Sequence, residues 1–324
     1  MSNPQWRSEL TPGDNNPNGW QNEVEARSTS PLRTHILLFV ATIITTLAAG
    51  VFGPLNYDIT MIPYLLEQPS LFLNGVPFAF SLLAILTAHE MGHYVFSRYH
   101  GVKASLPYFL PSPVAFGTFG AVIVTRSLYP NRKALMDIGA AGPIAGFIVA
   151  LPITAIGVSL STVQKLADVE TGYVTMGDPL ILQGLSYLVL GPLPEGHDIF
   201  VHPMAFAGWF GFLVTMLNLI PISQLDGGHI LYAMVGRSES AKRMQLGITI
   251  VCFAVMSYLG MYFTGWYVWC GLLLLMSYRF RFRHPPSLDD DTPLDTKRKV
   301  IGLITLIIMI VSFIPVPLTL HFLE

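Results

Sequence analysis

Long apolar runs are the feature of this sequence that most restricts what it can fold into. Runs such as 35–55, 75–98 and 134–160 each have about the 20 residues that an α-helix needs to cross the hydrocarbon core of a bilayer. Hydrophobic residues make up 52% of the chain and charged residues only 12%, which lies well outside the composition of soluble domains. The sequence therefore predicts that most of the chain lies in lipid.

The complete set of apolar runs predicts an all-α polytopic membrane protein with six or seven transmembrane helices. The expected spans are 35–55, 75–98, 134–160, 202–222, 246–263, 265–279 and 299–321. Acidic residues prevail in the connections 57–74 and 161–200, whereas the connections that alternate with them are basic. Because basic loops are retained on the cytoplasmic side, this alternation predicts a cytoplasmic N-terminus.

Composition also divides the chain into segments. Residues 1–33, rich in Asn, Pro, Gly, Ser and charge, are expected to form a disordered cytoplasmic tail. A membrane-embedded core is expected at 34–280, a cytoplasmic linker at 281–298 and a last transmembrane helix at 299–324. A formal net charge of -2 without a dense basic stripe gives no reason to expect a nucleic-acid partner.

The connection between the second and third spans, residues 104–127, does not have the pattern of a helix. It is apolar but interrupted by Pro and Gly, and it ends in the β-branched run 122–125. Irregular backbone at membrane depth is tolerated only against protein or a water-filled cavity. We therefore expect a small re-entrant β element beside a functional site, with an ordinary amphiphilic cytoplasmic loop as the alternative.

The second span contains the run His-Glu-Met-Gly-His, from His89 to His93. Histidines at i and i+4 lie on one face of a helix and suit a single metal ion. The alternative is a pair of core histidines satisfied by hydrogen bonds, but ionisable residues within a membrane span are costly for packing alone. In a hydrolytic site the two histidines would hold zinc, and Glu90 would take a proton from the bound water.

A catalytic zinc needs a third protein ligand, and the end of the fourth span offers one. Asp226 lies there at a depth compatible with the histidines, on the predicted cytoplasmic side. The Asp-Gly dipeptide is also typical of turns, and His229 is a rival ligand. Asn218 precedes the helix-breaking Pro221, so its amide could bind substrate backbone or an oxyanion, or make an ordinary interhelical hydrogen bond.

Other polar and small residues have simpler interpretations. The glycines of 139–146 in the third span are expected to permit close helix packing. Asp137 is expected to be a polar residue at the cytoplasmic end of that span. Surface positions are expected for His100, His197 and His202, because they lie at span ends or in loops.

The two motifs together resemble those of the site-2 protease family of intramembrane metalloproteases, and the similarity covers about residues 75–230. The resemblance implies His89, His93 and Asp226 as ligands of one zinc ion, Glu90 as catalytic base and Asn218 as a substrate-binding residue. It implies an intramembrane zinc endopeptidase that cuts membrane-anchored proteins, such as a transcription regulator or its anchor. The expected location is a prokaryotic plasma membrane, with the active site towards the cytoplasm.

The sequence departs from many members of that family, because the outer loop 161–200 is too short for a PDZ domain. The alternatives are other membrane proteins. A protease that trims prenylated tails would need a Glu ligand on a later helix, which we do not find. A metal transporter would carry acidic or His sites along a path, and a catalytically inactive relative would have lost Glu90.

Overall fold

The computed structural model describes residues 31–165, 173–279 and 287–321. Most of the expected N-terminal tail and the first part of the expected linker lie outside these residues. The described α-helices are α1 (Leu32–Phe52), α2 (Ile62–Glu67), α3 (Phe72–Tyr99), α4 (Arg132–Ser159), α5 (Leu180–Leu190), α6 (Pro203–Leu219), α7 (Asp226–Val235), α8 (Glu239–Leu259), α9 (Gly265–Arg279) and α10 (Thr296–Val311). The strands are β1 (Tyr108–Pro111), β2 (Thr118–Val122), β3 (Thr162–Lys165), β4 (Tyr173–Met176), β5 (His197–Phe200) and β6 (Leu318–His321).

Three of these helices are long and apolar enough to cross a membrane: α1, α4 and the segment Pro69–Tyr99, which contains α3. The predicted mostly helical membrane protein is therefore confirmed in its coarse form. Each of the other predicted spans coincides with a helix, but α6 and α9 are shorter apolar helices. The count of six or seven spans stays a prediction.

Helices α1, α3, α4 and α6 form an up-and-down bundle in which small residues allow close contact. The end of α1 meets the start of α3 where Gly50 faces Gly75, and the end of α4 meets the start of α6 where Gly157 faces Ala205. A Cβ at Gly50 would lie 2.6 Å from the Gly75 carbonyl oxygen, so no larger residue fits without a shift. The antiparallel order brings the end of α3, the start of α4 and the end of α6 together.

The expected β element is confirmed as an antiparallel hairpin of β1 and β2. Tyr108 pairs with Val122, and strand β2 begins earlier than the β-branched run that indicated it. The hairpin packs against the helices, because the Phe116 ring stacks on the Phe210 ring of α6 with a centroid distance of 4.0 Å. At its base, His35 Nδ1 of α1 lies 3.1 Å from a backbone carbonyl of the hairpin.

The connection 161–200 has more structure than a plain loop. It contains α5 and pairs β3 with β5, while β4 pairs with β6 at the far end of the chain. The expected last span, 299–321, is therefore too long. Helix α10 ends at Val311. It does not continue to β6 because Pro315 and Pro317 lie between them, and proline has no N–H to donate within a helix.

The end of the expected linker packs on the bundle instead of being simply solvated. Asp290 and Leu294 are each only 6% exposed. The buried Asp290 carboxylate accepts a hydrogen bond from the Tyr232 hydroxyl of α7, which makes its burial tolerable.

Candidate metal centre

Three side chains from two distant parts of the chain converge at the end of the bundle. His89 Nε2 and His93 Nε2 lie 3.2 Å apart. Asp226 places Oδ2 3.3 Å from His89 Nε2 and Oδ1 3.3 Å from His93 Nε2. Among the described residues, these three form a group able to hold a metal ion.

The spacing of these atoms fits zinc. Tetrahedral zinc binds imidazole nitrogen and carboxylate oxygen at about 2.0–2.1 Å, which separates neighbouring donor atoms by about 3.3 Å. The two imidazole nitrogens, 3.2 Å apart, are close to that value, and one donor atom from each of the three residues lies within 4.8 Å of the others. Two imidazoles and one carboxylate also leave a fourth tetrahedral position for water, as catalytic zinc sites require.

One histidine of the pair has a fixed tautomer. His93 Nδ1 lies 2.7 Å from the Ile138 carbonyl oxygen of α4. Because a carbonyl only accepts, Nδ1 must donate, and the lone pair is left on Nε2, which faces His89 and Asp226. Helix α4 thus orients a candidate ligand through its backbone.

The glycines of α4 are packing residues, as predicted, and the groups they pack on are the histidines themselves. A Cβ at Gly142 would overlap the His93 imidazole, and a Cβ at Gly146 would press against His89. The absence of these side chains lets α4 lie directly on the histidine face of α3.

Asp226 enters the site through a tight turn between α6 and α7. Helix α6 ends at Leu219, and Asp226 is the first residue of α7. Ser223, in the turn, has a φ of 52°, a left-handed conformation that is uncommon for a residue other than glycine. A Cβ at Gly227 would overlap the Leu219 carbonyl, so the Asp-Gly pair serves both the turn and the approach of the carboxylate.

The remaining predicted residues lie beside this group, with one exception. Glu90 is 6% exposed and lies close enough to interact electrostatically with His93 and Asp226. The Asn218 amide nitrogen lies 3.4 Å from His89 Nε2, a contact between helices that sets the amide next to the nitrogen facing His93 and Asp226. The rival ligand His229 instead packs its ring against another aromatic side chain.

Sequence reasoning missed a polar cluster near the site. Asp137 is 8% exposed and accepts hydrogen bonds from Arg298, and His100 Nε2 lies 2.9 Å from the same carboxylate. The expectation of a surface position for His100 is wrong, because its side chain is only 15% exposed. The sequence indicates this cluster only through Asp137, a single acidic residue at the start of an apolar run. His197 lies in the connection 161–200 beside the Glu195 carbonyl, and His202 caps the start of α6; both are partly exposed.

The fold and the site define the class: a helical membrane protein with a buried centre of two histidines and a carboxylate that suits zinc. The chain belongs to peptidase family M50, whose model matches residues 77–259, more than half of the chain. The resemblance to the site-2 protease family is thereby confirmed.

Curated relatives agree with this family. The chain is 30% identical over 301 residues to the probable zinc metalloprotease EGY1, chloroplastic, of Arabidopsis thaliana, covering 87% of this chain and 52% of that protein. It is 34% identical to the probable zinc metalloprotease EGY2, chloroplastic, of Oryza sativa subsp. indica, covering 65% and 38%. It is 31% identical to the probable zinc metallopeptidase EGY3, chloroplastic, of Arabidopsis thaliana, covering 75% and 43%.

The relatives bear on cofactor and location in different ways. Their names state zinc, and the donor set fits zinc, so the expected cofactor is confirmed. A membrane location is supported, but relatives named as chloroplastic give no support to a prokaryotic plasma membrane. The chain spans about half or less of the length of the relatives it matches.

Proposed function

We propose that this protein is an intramembrane zinc endopeptidase. The observation that carries the proposal is the triangle of His89, His93 and Asp226, with Glu90 beside it, inside a bundle of membrane-type helices. These groups are what the hydrolysis of a peptide bond by zinc requires: ligands, an open coordination position and a base.

Each residue has a defined task in this proposal. His89, His93 and Asp226 would hold the metal, which when bound would supply an acidified water and polarise the scissile carbonyl. Glu90 would accept a proton from that water at its carboxylate and pass it to the leaving amine. The Asn218 amide, whose nitrogen lies 3.4 Å from His89 Nε2, would donate to the substrate's carbonyl oxygen as negative charge develops there.

The substrate must be unwound before it is cut, because a helical peptide bond is shielded and its carbonyl already accepts a hydrogen bond. Lipid cannot satisfy the polar groups that unwinding exposes. We infer that the substrate adds as a strand to the hairpin, beside β2. In the described part of the chain this sheet has two strands, so the far edge of β2 has no strand partner.

The substrate class and the topology complete the proposal. Membrane-anchored proteins, such as a transcription regulator or its anchor, fit a site within the bundle. We also propose a protease core over 34–280 with six or seven spans, supported by the lengths of the apolar runs. The alternating loop charges support a cytoplasmic position for the metal site. The convergence of ligands on one cluster, among the residues described, is unlike a transport path.

Co-expression with candidate substrates tests this function. Tagged single-span membrane proteins, including tethered transcription regulators, are expressed with the wild-type chain or with Glu90→Gln. We expect at least one substrate to give fragments with wild type alone, with termini inside or near its span by mass spectrometry. Fragments that form equally with Glu90→Gln would overturn the proposed role of this site.

A further inference from the structure

Residues outside the region matched by the family model contact the helices that surround the candidate metal centre. The family model matches residues 77–259, yet residues 287–298 contact α7, which carries Asp226, and the start of α4, which packs on the two histidines. We call residues 287–298 the brace. Three of its contacts with the bundle lie next to α7 or the start of α4.

The first contact holds helix α7. The Tyr232 hydroxyl donates to Asp290 Oδ2 at 2.8 Å, and both residues are nearly inaccessible to solvent. Tyr232 lies on the same short helix as Asp226, so displacement of one moves the other. At the end of that helix, Arg132 Nη2 donates to the Ala233 carbonyl at 2.6 Å, which fixes the helix from the side of α4.

The second contact holds the start of α4. Arg298 donates to Asp137 through Nε at 2.9 Å and Nη2 at 2.5 Å, a two-point contact between residues 161 positions apart. Its backbone N–H donates to Asp295 at the start of α10 and lowers the pKa of that carboxyl group. Asp137 directly precedes Ile138, whose carbonyl takes the hydrogen bond of a candidate zinc ligand.

The third contact is made by backbone alone. The N–H of Leu288 donates to the Tyr129 carbonyl at 2.9 Å, and the N–H of Asp289 donates to Pro130 at 3.0 Å. Residues 129–131 lead directly into α4, and the Asn131 side chain caps the first turn of that helix. The brace is therefore joined to the entry of α4 as well as to its first turns.

We propose that the brace positions both halves of the metal centre. Through Tyr232, Asp290 holds the helix that carries Asp226. Through Asp137, Arg298 holds the start of α4, whose backbone carbonyl orients the second histidine. Neither brace residue touches the metal, so both are positioning residues. This inference rests on the proposed function only for the identity of the ligands.

The consequence is a metal affinity that depends on the brace. Removal of Arg298 leaves the buried Asp137 carboxylate short of its strongest partner and free to shift the first turn of α4. Changes in groups that orient metal ligands commonly weaken metal binding by about 10–100-fold. We expect a loss in that range for Arg298→Met and a smaller one for Tyr232→Phe.

Metal binding by the full-length protein purified in detergent provides the test. Zinc affinity is measured by competition with a chelator, and ligand geometry by the visible spectrum of the cobalt-substituted protein. Arg298→Met and Tyr232→Phe should weaken zinc and alter the cobalt bands, and Arg298→Lys should recover part of both. The matched control is Lys242→Met, which breaks an exposed ion pair with Glu239 outside the brace and should change neither.

A second control separates positioning from general stability. Leu65 is fully buried at the opposite end of the bundle, so Leu65→Ala should lower the melting temperature but leave the cobalt spectrum intact. If Tyr232→Phe and Arg298→Met bind zinc and cobalt as wild type does, the brace serves only the fold and the proposal is wrong. Should Arg298→Met not fold, Tyr232→Phe decides, because it removes one hydroxyl group.

The outcome is separable from that of the proposed function. A wild-type protein that binds zinc but cleaves nothing would contradict the proposed protease, while the effect of the brace on metal affinity would still be measured. Normal cleavage with an unchanged cobalt spectrum in Arg298→Met and Tyr232→Phe would support the protease and contradict the role of the brace.

Discussion

Asp226 reaches the histidines only because the chain turns sharply between α6 and α7. We predict that Asp226→Ala lowers both zinc content and cleavage, because two imidazoles remain where three ligands are needed. Zinc per protein, measured by mass spectrometry, checks this. Asp198→Ala in β5 is the control and should keep wild-type zinc. Unchanged zinc in Asp226→Ala would move the third ligand elsewhere.

The close contact between Gly142 and His93 leads to a second prediction. A methyl group there would overlap the His93 ring, which cannot retreat without losing its hydrogen bond to Ile138. We expect Gly142→Ala to weaken zinc binding and to lower stability by about 1–3 kcal/mol. Gly247→Ala is the control, since a Cβ there meets nothing within 4 Å and a helix gains about 0.5–1 kcal/mol from alanine. Equal zinc affinity in both variants would contradict the packing account.

The sequence predicts some site residues better than others, for a physical reason. His89 and His93 can be predicted to lie together because helical periodicity alone puts residues i and i+4 on one face. The link from Asp137 to Arg298 joins positions 161 residues apart, and local patterns carry no information on such pairs. His100 was misjudged for the same reason, since its partner comes from another helix.

Among the elements, the hairpin offers the sharpest test of how substrate binds. The Ser105 N–H donates to the Val124 carbonyl, and the Val124 N–H donates to Ser105 Oγ. The backbone N–H and C=O of Val124 therefore point towards the β1 side of the hairpin. Because backbone groups alternate along a strand, Val122 faces inwards as well, whereas Ala121 and Ile123 direct their N–H groups to the open edge.

Proline substitution separates the two edges. Ala121→Pro and Ile123→Pro should reduce cleavage and leave zinc content intact, because they remove only donors that the added substrate strand would use. Val122→Pro and Val124→Pro are the matched comparison and should disturb the hairpin itself, seen as a lower melting temperature. If the Ala121 and Ile123 variants fold, keep zinc and cleave normally, strand addition is wrong.

Elements in lipid were easier to predict than elements outside it. The predicted spans coincide with helices because apolar runs of that length have no other way to satisfy their backbone. Helix α5 and strands β3, β4 and β5 were not predicted within 161–200, where mixed polarity leaves no single period. The end of α10 was misplaced because the apolar pattern continues past Val311, while Pro315 and Pro317 end the helical one.

For the whole molecule, the alternating charges predict which ends face the cytoplasm. Single cysteines replacing Glu67 or Glu195, both exposed, should react with a membrane-impermeant thiol reagent from the outer side only. The background lacks the native Cys252 and Cys270, and a cysteine at the exposed Ser240 is the cytoplasmic control. Labelling of both outer positions from the cytoplasmic side alone would mean that the topology is inverted.

The central claim is that Glu90 performs chemistry at a metal held by other residues. The direct measurement compares wild type with Glu90→Gln, each reconstituted in liposomes with a cleaved substrate, for zinc content and for product. We predict equal zinc and no cleavage above background in Glu90→Gln, because the base is lost while His89, His93 and Asp226 remain. Full cleavage by Glu90→Gln at equal zinc content would contradict it.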